Sequence, residues 1–164
     1  MKTLLLIRHA KSSWDSPGLT DFERPLNDRG KRDAPEMAKR IREKMAIELF
    51  VSSPAKRAKK TAKIFAEEYG ADKDTIQYVE SLYGAAPDVF SEVVASLNDD
   101  YKTAALFSHN PGISEYANTL CNVKVDDMPT CAVFAVQAQC DSWQDFAVAE
   151  KLFLFFDYPK NPQM

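Results

Sequence analysis

Three short apolar runs, Leu4 to Ile7, Ile47 to Val51 and Thr103 to Phe107, constrain this chain more than any other feature. Each is nearly free of polar residues and too short for a core helix, which is the pattern of a strand buried on both faces. Burying such strands requires a sheet with helices on either side. Between the runs the apolar spacing is helical. Ala34, Met37, Ala38, Ile41 and Met45 recur from Asp28 onward, with Asp28 as the expected cap. Ser53 is expected to cap, and Pro54 to open, a helix that continues to about Tyr69. Further helices are expected from Asp88 to Leu97 and after Gly112. Residues 10–27, rich in Ser, Asp, Pro and Gly, read as a loop, and Glu80 to Pro87 as a turn. Thr130 to Gln137 and Phe146 to Phe156 read as strands that close the sheet. The expectation is an α/β fold, a three-layer α/β/α sandwich around a central, mostly parallel sheet, in one domain spanning residues 1–164.

In such sheets functional loops gather beyond the carboxyl ends of the strands. The three runs end at Arg8-His9, at Ser52-Ser53 with Arg57 one turn further on, and at Ser108-His109, and these are the only two histidines in the chain. A histidine at a strand end is more often a structural hydrogen-bonder than a catalyst, but here both occupy equivalent strand ends and each is followed by turn-forming residues. A neutral imidazole is a competent nucleophile toward phosphorus. Arginine neutralises phosphoryl oxygens bidentately and stays charged, and a helix N-terminus adds backbone donors. On position alone His9 is the candidate nucleophile, fixed by the strand before it. Arg8, Arg57 and His109 are the candidate anion binders.

The segments Leu6-Ile7-Arg8-His9-Ala10, Ser52-Ser53-Pro54-Ala55-Lys56-Arg57 and Ser108-His109-Asn110-Pro111-Gly112, in that order, resemble the histidine phosphatase superfamily. Pro25-Leu26-Asn27-Asp28-Arg29-Gly30 resembles the segment between that family's first two motifs, and the opening Arg8-His9-Ala10-Lys11-Ser12-Ser13-Trp14 is most similar to the SixA-type phosphohistidine phosphatases. The resemblance implies a phosphoglycerate mutase-like fold and metal-independent chemistry without a cofactor. It further implies His9 as the phosphoryl acceptor, with Arg8, Arg57 and His109 holding the phosphoryl group; Lys11, as added positive charge at the rim, and Asn110 are further candidate substrate-binding residues. The chain departs from the family pattern at Ala10, where a glycine is usual, and at Lys11, where many relatives are acidic or polar. Many relatives also take a general acid from the segment matching residues 78–86. Glu80 is the only carboxylate there and so the candidate acid, with Asp15 and Asp21 as alternatives.

A missing acid bears on substrate class. An alkoxide leaving group gains about 10²–10⁴-fold from a positioned acid, whereas a phosphohistidine leaves as an imidazole and manages without one. The expected substrate is therefore phosphohistidine on a protein. The alternatives are a small phosphate ester or, with no turnover at all, a phospho-ligand reader. With a net charge of −3 and three cysteines outside any CxxC pair, the chain offers no reason to expect nucleic acid, a membrane surface, a disulfide framework or a zinc site. The N-terminal run is too short for a membrane span, the cysteines read as buried thiols, and cytoplasm is the expected compartment. The oligomeric state stays open, and a monomer fits. Trp14 reads as loop packing, and Asn27, Arg29 and Gly30 as a helix-start turn.

Overall fold

The computed structural model describes residues 1–15 and 17–162. Six strands form one sheet: β1 (Lys2–Arg8), β2 (Leu49–Ser52), β3 (Gln77–Tyr78), β4 (Thr103–Ser108), β5 (Val133–Ala138) and β6 (Lys151–Asp157). Their order across the sheet is β3-β2-β4-β1-β5-β6. The first four strands in that order run parallel, and only β5 runs antiparallel to its two neighbours. Four helices complete the fold: α1 (Asp28–Arg42), α2 (Lys56–Glu68), α3 (Pro87–Ala95) and α4 (Gly112–Leu120).

The continuous apolar runs are buried on both sides because successive strand residues face opposite ways. Leu4 and Leu6 of β1 pack with residues of α3 and α4, while Leu5 and Ile7 pack with residues of α1 and α2. Ala104 and Leu106 of β4 face the first layer, and Ala105 and Phe107 the second. Leu4, Leu5, Leu6 and Ile7 are fully buried, and each such side chain contributes about 1.5–3 kcal/mol on transfer from water. This is the three-layer sandwich expected from the sequence. No helix among the described residues is long and apolar enough to cross a membrane.

Local details differ from the sequence expectation. Asn27, not Asp28, caps α1, its side chain accepting from the Gly30 amide at 2.9 Å. Asn and Asp cap about equally well, so the one-residue shift has no signal in composition. Ser53 does not cap α2. That helix starts at Lys56 after Ala55, with Pro54 outside it, and the Ser53 hydroxyl is drawn instead to His109. Helix α3 begins at Pro87 and ends at Ala95, and α1 ends at Arg42. Strand β3 was not expected, since two exposed residues carry no hydrophobic pattern. Of the three free cysteines only Cys131 is buried, and Cys121 and Cys140 are half-buried.

Candidate active site

Sheet register, rather than chance convergence of loops, brings the candidate residues together. Arg8 pairs with Ser108 across β1 and β4, and Ser52 pairs with Phe107 across β2 and β4. The same ladders continue one residue further, with the His9 amide donating to the Ser108 carbonyl at 3.1 Å and the Ser53 amide to that of Phe107 at 2.9 Å. On the opposite side the Cys131 amide donates to the carbonyls of both Arg8 and His9, at 3.1 and 3.0 Å. The backbone carrying His9 is therefore held from two directions. A further tie runs to α2: the Thr61 hydroxyl accepts from the Ala10 amide at 3.0 Å and donates to the Arg57 carbonyl at 2.8 Å.

These ladders place the rings of His9 and His109 with centroids 5.3 Å apart, in a pocket of about 290 Å³ that Arg8 and Arg57 also line. His9, Arg57 and His109 are 6%, 6% and 7% exposed, so their electrostatics act in a largely water-excluded setting. His9 Nδ1 meets the Ala10 carbonyl at 2.8 Å. A carbonyl only accepts, so Nδ1 carries the proton and Nε2 the lone pair. Arg57 Nε approaches that lone pair at 3.4 Å. Burial, reinforced by His109 and the two guanidiniums, pushes the His9 pKa down to about 3, against the weaker opposing effect of the Ala10 carbonyl. Burial and the Arg57 cation push His109 down to about 4. Both rings are neutral near pH 7.

Arg8 Nη1 donates to the Met128 carbonyl at 2.8 Å, and burial lowers the arginine's pKa, though a guanidinium stays charged. His109 commits Nε2 to the Ser53 hydroxyl at 2.7 Å. Among the described residues the buried side-chain polar atoms without a partner are Arg8 Nε and His109 Nδ1, both on pocket-lining residues. A buried polar group left unpaired costs about 1–3 kcal/mol, so both atoms are a stability cost carried by residues that line the pocket.

The loop expected over 10–27 supplies a second wall. Asp21 sits in a short 3₁₀ turn, Asp21–Glu23, and its backbone carbonyl and carboxylate accept from Arg57 Nη1 and Nη2 at 2.6 and 3.0 Å. The same carboxylate accepts from Tyr83 at 2.6 Å and from Arg24 at 2.8 Å. The Tyr83 bond foremost, with Arg24 and Arg57, holds the Asp21 carboxyl well below the usual carboxylate range. Its partner effect raises the Tyr83 phenol. Arg24 also meets the Ser12 hydroxyl and stacks on Trp14, its guanidinium carbon 3.2 Å from the ring centroid. Trp14 is 75% exposed, so besides packing within the loop against Arg24 it lines the pocket.

Arg8, His9, Arg57, His109, Lys11 and Asn110 all line the pocket. The Asn110 amide is already engaged, with Nδ2 on the Met128 carbonyl at 3.0 Å and Oδ1 accepting from Ser114 at 2.5 Å. Glu80 is not brought to the pocket. In the turn Glu80–Leu82 it is Leu82 that is buried, which leaves Glu80 exposed on the outer side. Asp15 is likewise exposed and outside the lining. Asp21 is the carboxylate that reaches it. Sequence reasoning missed Arg24, Tyr83 and Thr130, which have no motif of their own, although the acidic Asp21 in a loop beside Arg24 was a detectable signal. Among the described residues no group of three or more His, Cys, Asp or Glu side chains is arranged to hold a metal.

Known proteins resemble this chain in sequence and in fold. The model of the histidine phosphatase superfamily (branch 1) matches residues 4–83. An uncharacterized protein of Mycobacterium tuberculosis is 33% identical over 122 residues, which cover 74% of this chain and 73% of the relative. Among solved structures, the protein histidine phosphatase SixA complexed with tungstate superimposes with a TM-score of 0.80 at 20% identity, covering 96% of this chain and 97% of that one. A mycobacterial glucosyl-3-phosphoglycerate phosphatase does so with a TM-score of 0.70 at 14% identity, covering 93% and 97%. At those identities the two structures establish the shared fold.

Proposed function

This chain belongs to the histidine phosphatase superfamily, and on that footing we propose that it is a phosphatase that removes the phosphoryl group from phosphohistidine on a protein, through a covalent intermediate on its own His9. The observation that carries the reading is the convergence of Arg8, Arg57 and His109 on one pocket with a neutral His9 that carries its proton on Nδ1 and its lone pair on Nε2. In the first step Nε2 attacks phosphorus and the substrate's P–N bond breaks. Arg8 and Arg57 neutralise the phosphoryl charge, and His109 donates to an oxygen. A substrate imidazole protonated on its far nitrogen leaves neutral, so no donor is needed. In the second step water attacks phosphorus, the Nε2–P bond breaks, and both protons of the water depart on the phosphate. The proton stays on Nδ1, donated in a hydrogen bond to the Ala10 carbonyl throughout, which keeps the ring oriented. Lys11 adds charge at the rim, and Asn110 holds the turn after His109.

The choice of substrate rests on the one carboxylate among the described lining residues. Asp21, kept ionised by Tyr83, Arg24 and Arg57, is a poor proton donor and so suits a leaving group that needs none. A second reading, hydrolysis of a small phosphate ester, is favoured by one comparison: a fold neighbour is named as a glucosyl-3-phosphoglycerate phosphatase. We place the protein in the cytoplasm, in keeping with its free cysteines.

The test is turnover of a phosphohistidine peptide against a panel of phosphate esters. Faster turnover of the peptide is the expected result, and an ester preferred by several orders of magnitude would overturn the substrate assignment. Radiolabelled phosphate trapped on the protein should be acid-labile and alkali-stable, as a phosphoramidate is, and should be absent from His9→Ala. No hydrolysis of any phosphorylated compound would leave only a phospho-ligand reader.

A further inference from the structure

A larger concavity lies beside the pocket rather than in it: a groove of about 740 Å³ between residues 19–26 and the outer face of α2. Five lysines line it, Lys31 from α1 and Lys56, Lys59, Lys60 and Lys63 from α2, against a single carboxylate, Glu23, in a chain whose net charge is −3. None of the five makes an ion pair among the described residues. Positions 56, 59, 60 and 63 fall on one face of α2, where like charges three and four apart destabilise a helix. The arrangement therefore works against folding. Between the cations the lining is apolar, from Leu19, Phe22, Pro25 and Pro54, and Leu19 and Phe22 are among the exposed large hydrophobic residues. The groove adjoins the pocket directly, since Phe22 follows Asp21, Lys56 precedes Arg57, and Asp21 and Arg57 are bonded to each other.

Resting on the reading that the phosphoryl group arrives on a protein, we infer that this groove docks a segment of the substrate protein in which carboxylates alternate with apolar side chains. Lys56 and Lys63 are about 10 Å apart along the helix, too far to share one phosphate but matched to carboxylates spread over several residues. No arginine lines the groove, so it lacks the planar fork that recognises phosphate or nucleic acid bidentately. The apolar strip requires apolar partners, which a protein segment supplies. Charges at such a rim act mainly on encounter rate and salt dependence.

Binding is measured first, without phosphorus, so that the substrate reading and the docking reading fail separately. The probe is a fluorescent peptide with alternating Asp or Glu and Leu, beside a control with Gln for each acid. The full chain should bind the acidic peptide at least about tenfold tighter than the control at low salt, and Lys59→Glu/Lys60→Glu/Lys63→Glu should abolish the difference. Equal binding of both peptides, an unchanged preference in the triple variant, or tighter binding of an oligonucleotide would each overturn the inference. The same flanks are then placed beside phosphohistidine. The ratio of kcat/KM for acidic over neutral flanks should be about tenfold in the wild type and fall toward one in the triple variant. A binding preference with no turnover of either phosphopeptide would sink the substrate reading alone.

Discussion

The two walls of the pocket are built by different means. Arg8, His9, Ser53 and His109 stand on the ends of adjacent strands, and ladder hydrogen bonds fix their spacing. Asp21, Arg24, Trp14 and Tyr83 come from a loop and a turn, where no strand ladder runs and side-chain bonds and ring contacts join them across scattered backbone bonds. The first wall would keep its shape if any one side chain were truncated. The second depends on the Asp21 carboxylate for its bonds to Tyr83, Arg24 and Arg57 Nη2. Side chains held in fixed placement thus stand on the sheet, and the carboxylate that pairs with Arg24 and Arg57 comes from the loop.

Substitutions on the strand-built wall should have the largest effects. His9→Ala should lower kcat by about 10⁴-fold or more, as loss of a nucleophile does. Full activity in that variant would remove the sheet-built wall from the chemistry. Arg57→Ala should cost about 10²–10³-fold in kcat/KM, and Arg57→Lys should recover little because a point charge does not replace a fork. On the loop-built wall Asp21→Asn should cost only about tenfold, with Tyr83→Phe milder still. An Asp21→Asn loss equal to that of Arg57→Ala would put both walls in the transition state.

Acid stability sharpens the contrast because the walls lose stability in different pH windows. The folded-state pKa values of His9 and His109 lie at about 3 and 4, below the unfolded value near 6.5. The unfolded chain therefore binds more protons as pH falls below about 6.5, and stability drops, levelling off below the folded values. Asp21, depressed in the folded state, stabilises above about pH 4 and is lost only under stronger acid. Melting temperatures between pH 7 and 5 should fall in the wild type and fall less in His9→Asn/His109→Asn, while Asp21→Asn should leave that slope unchanged. The smallest effect belongs to Glu80→Gln, which should change phosphohistidine turnover by less than about twofold. A larger loss would bring that exposed turn into the reaction.

The same difference decides what was legible in the sequence. Residues set by the sheet could be read because strand ends follow from hydrophobic pattern, and the parallel order then places His9 beside His109. The sandwich was legible for the same reason, with Leu4 and Leu6 on one face and Leu5 and Ile7 on the other. Tyr83 was not legible, because its bond to Asp21 joins residues 62 positions apart and leaves no periodic trace. Glu80 misled because a single carboxylate in the expected segment carries no information on which side of a one-turn helix it will face. Ser53 misled because a hydroxyl competent to cap a helix is equally competent to hold an imidazole.

Thr61 shows what such dual service means for sequence change. One hydroxyl spans the gap between the backbone after His9 and the helix of Arg57, accepting a hydrogen bond from the first and donating one to the second. Valine would fill the same space and leave the interior densely filled, yet it would release both backbones at once. Isosteric drift, tolerated across most of a hydrophobic interior, is therefore not neutral at this buried position, and serine rather than valine is the exchange that preserves the spacing.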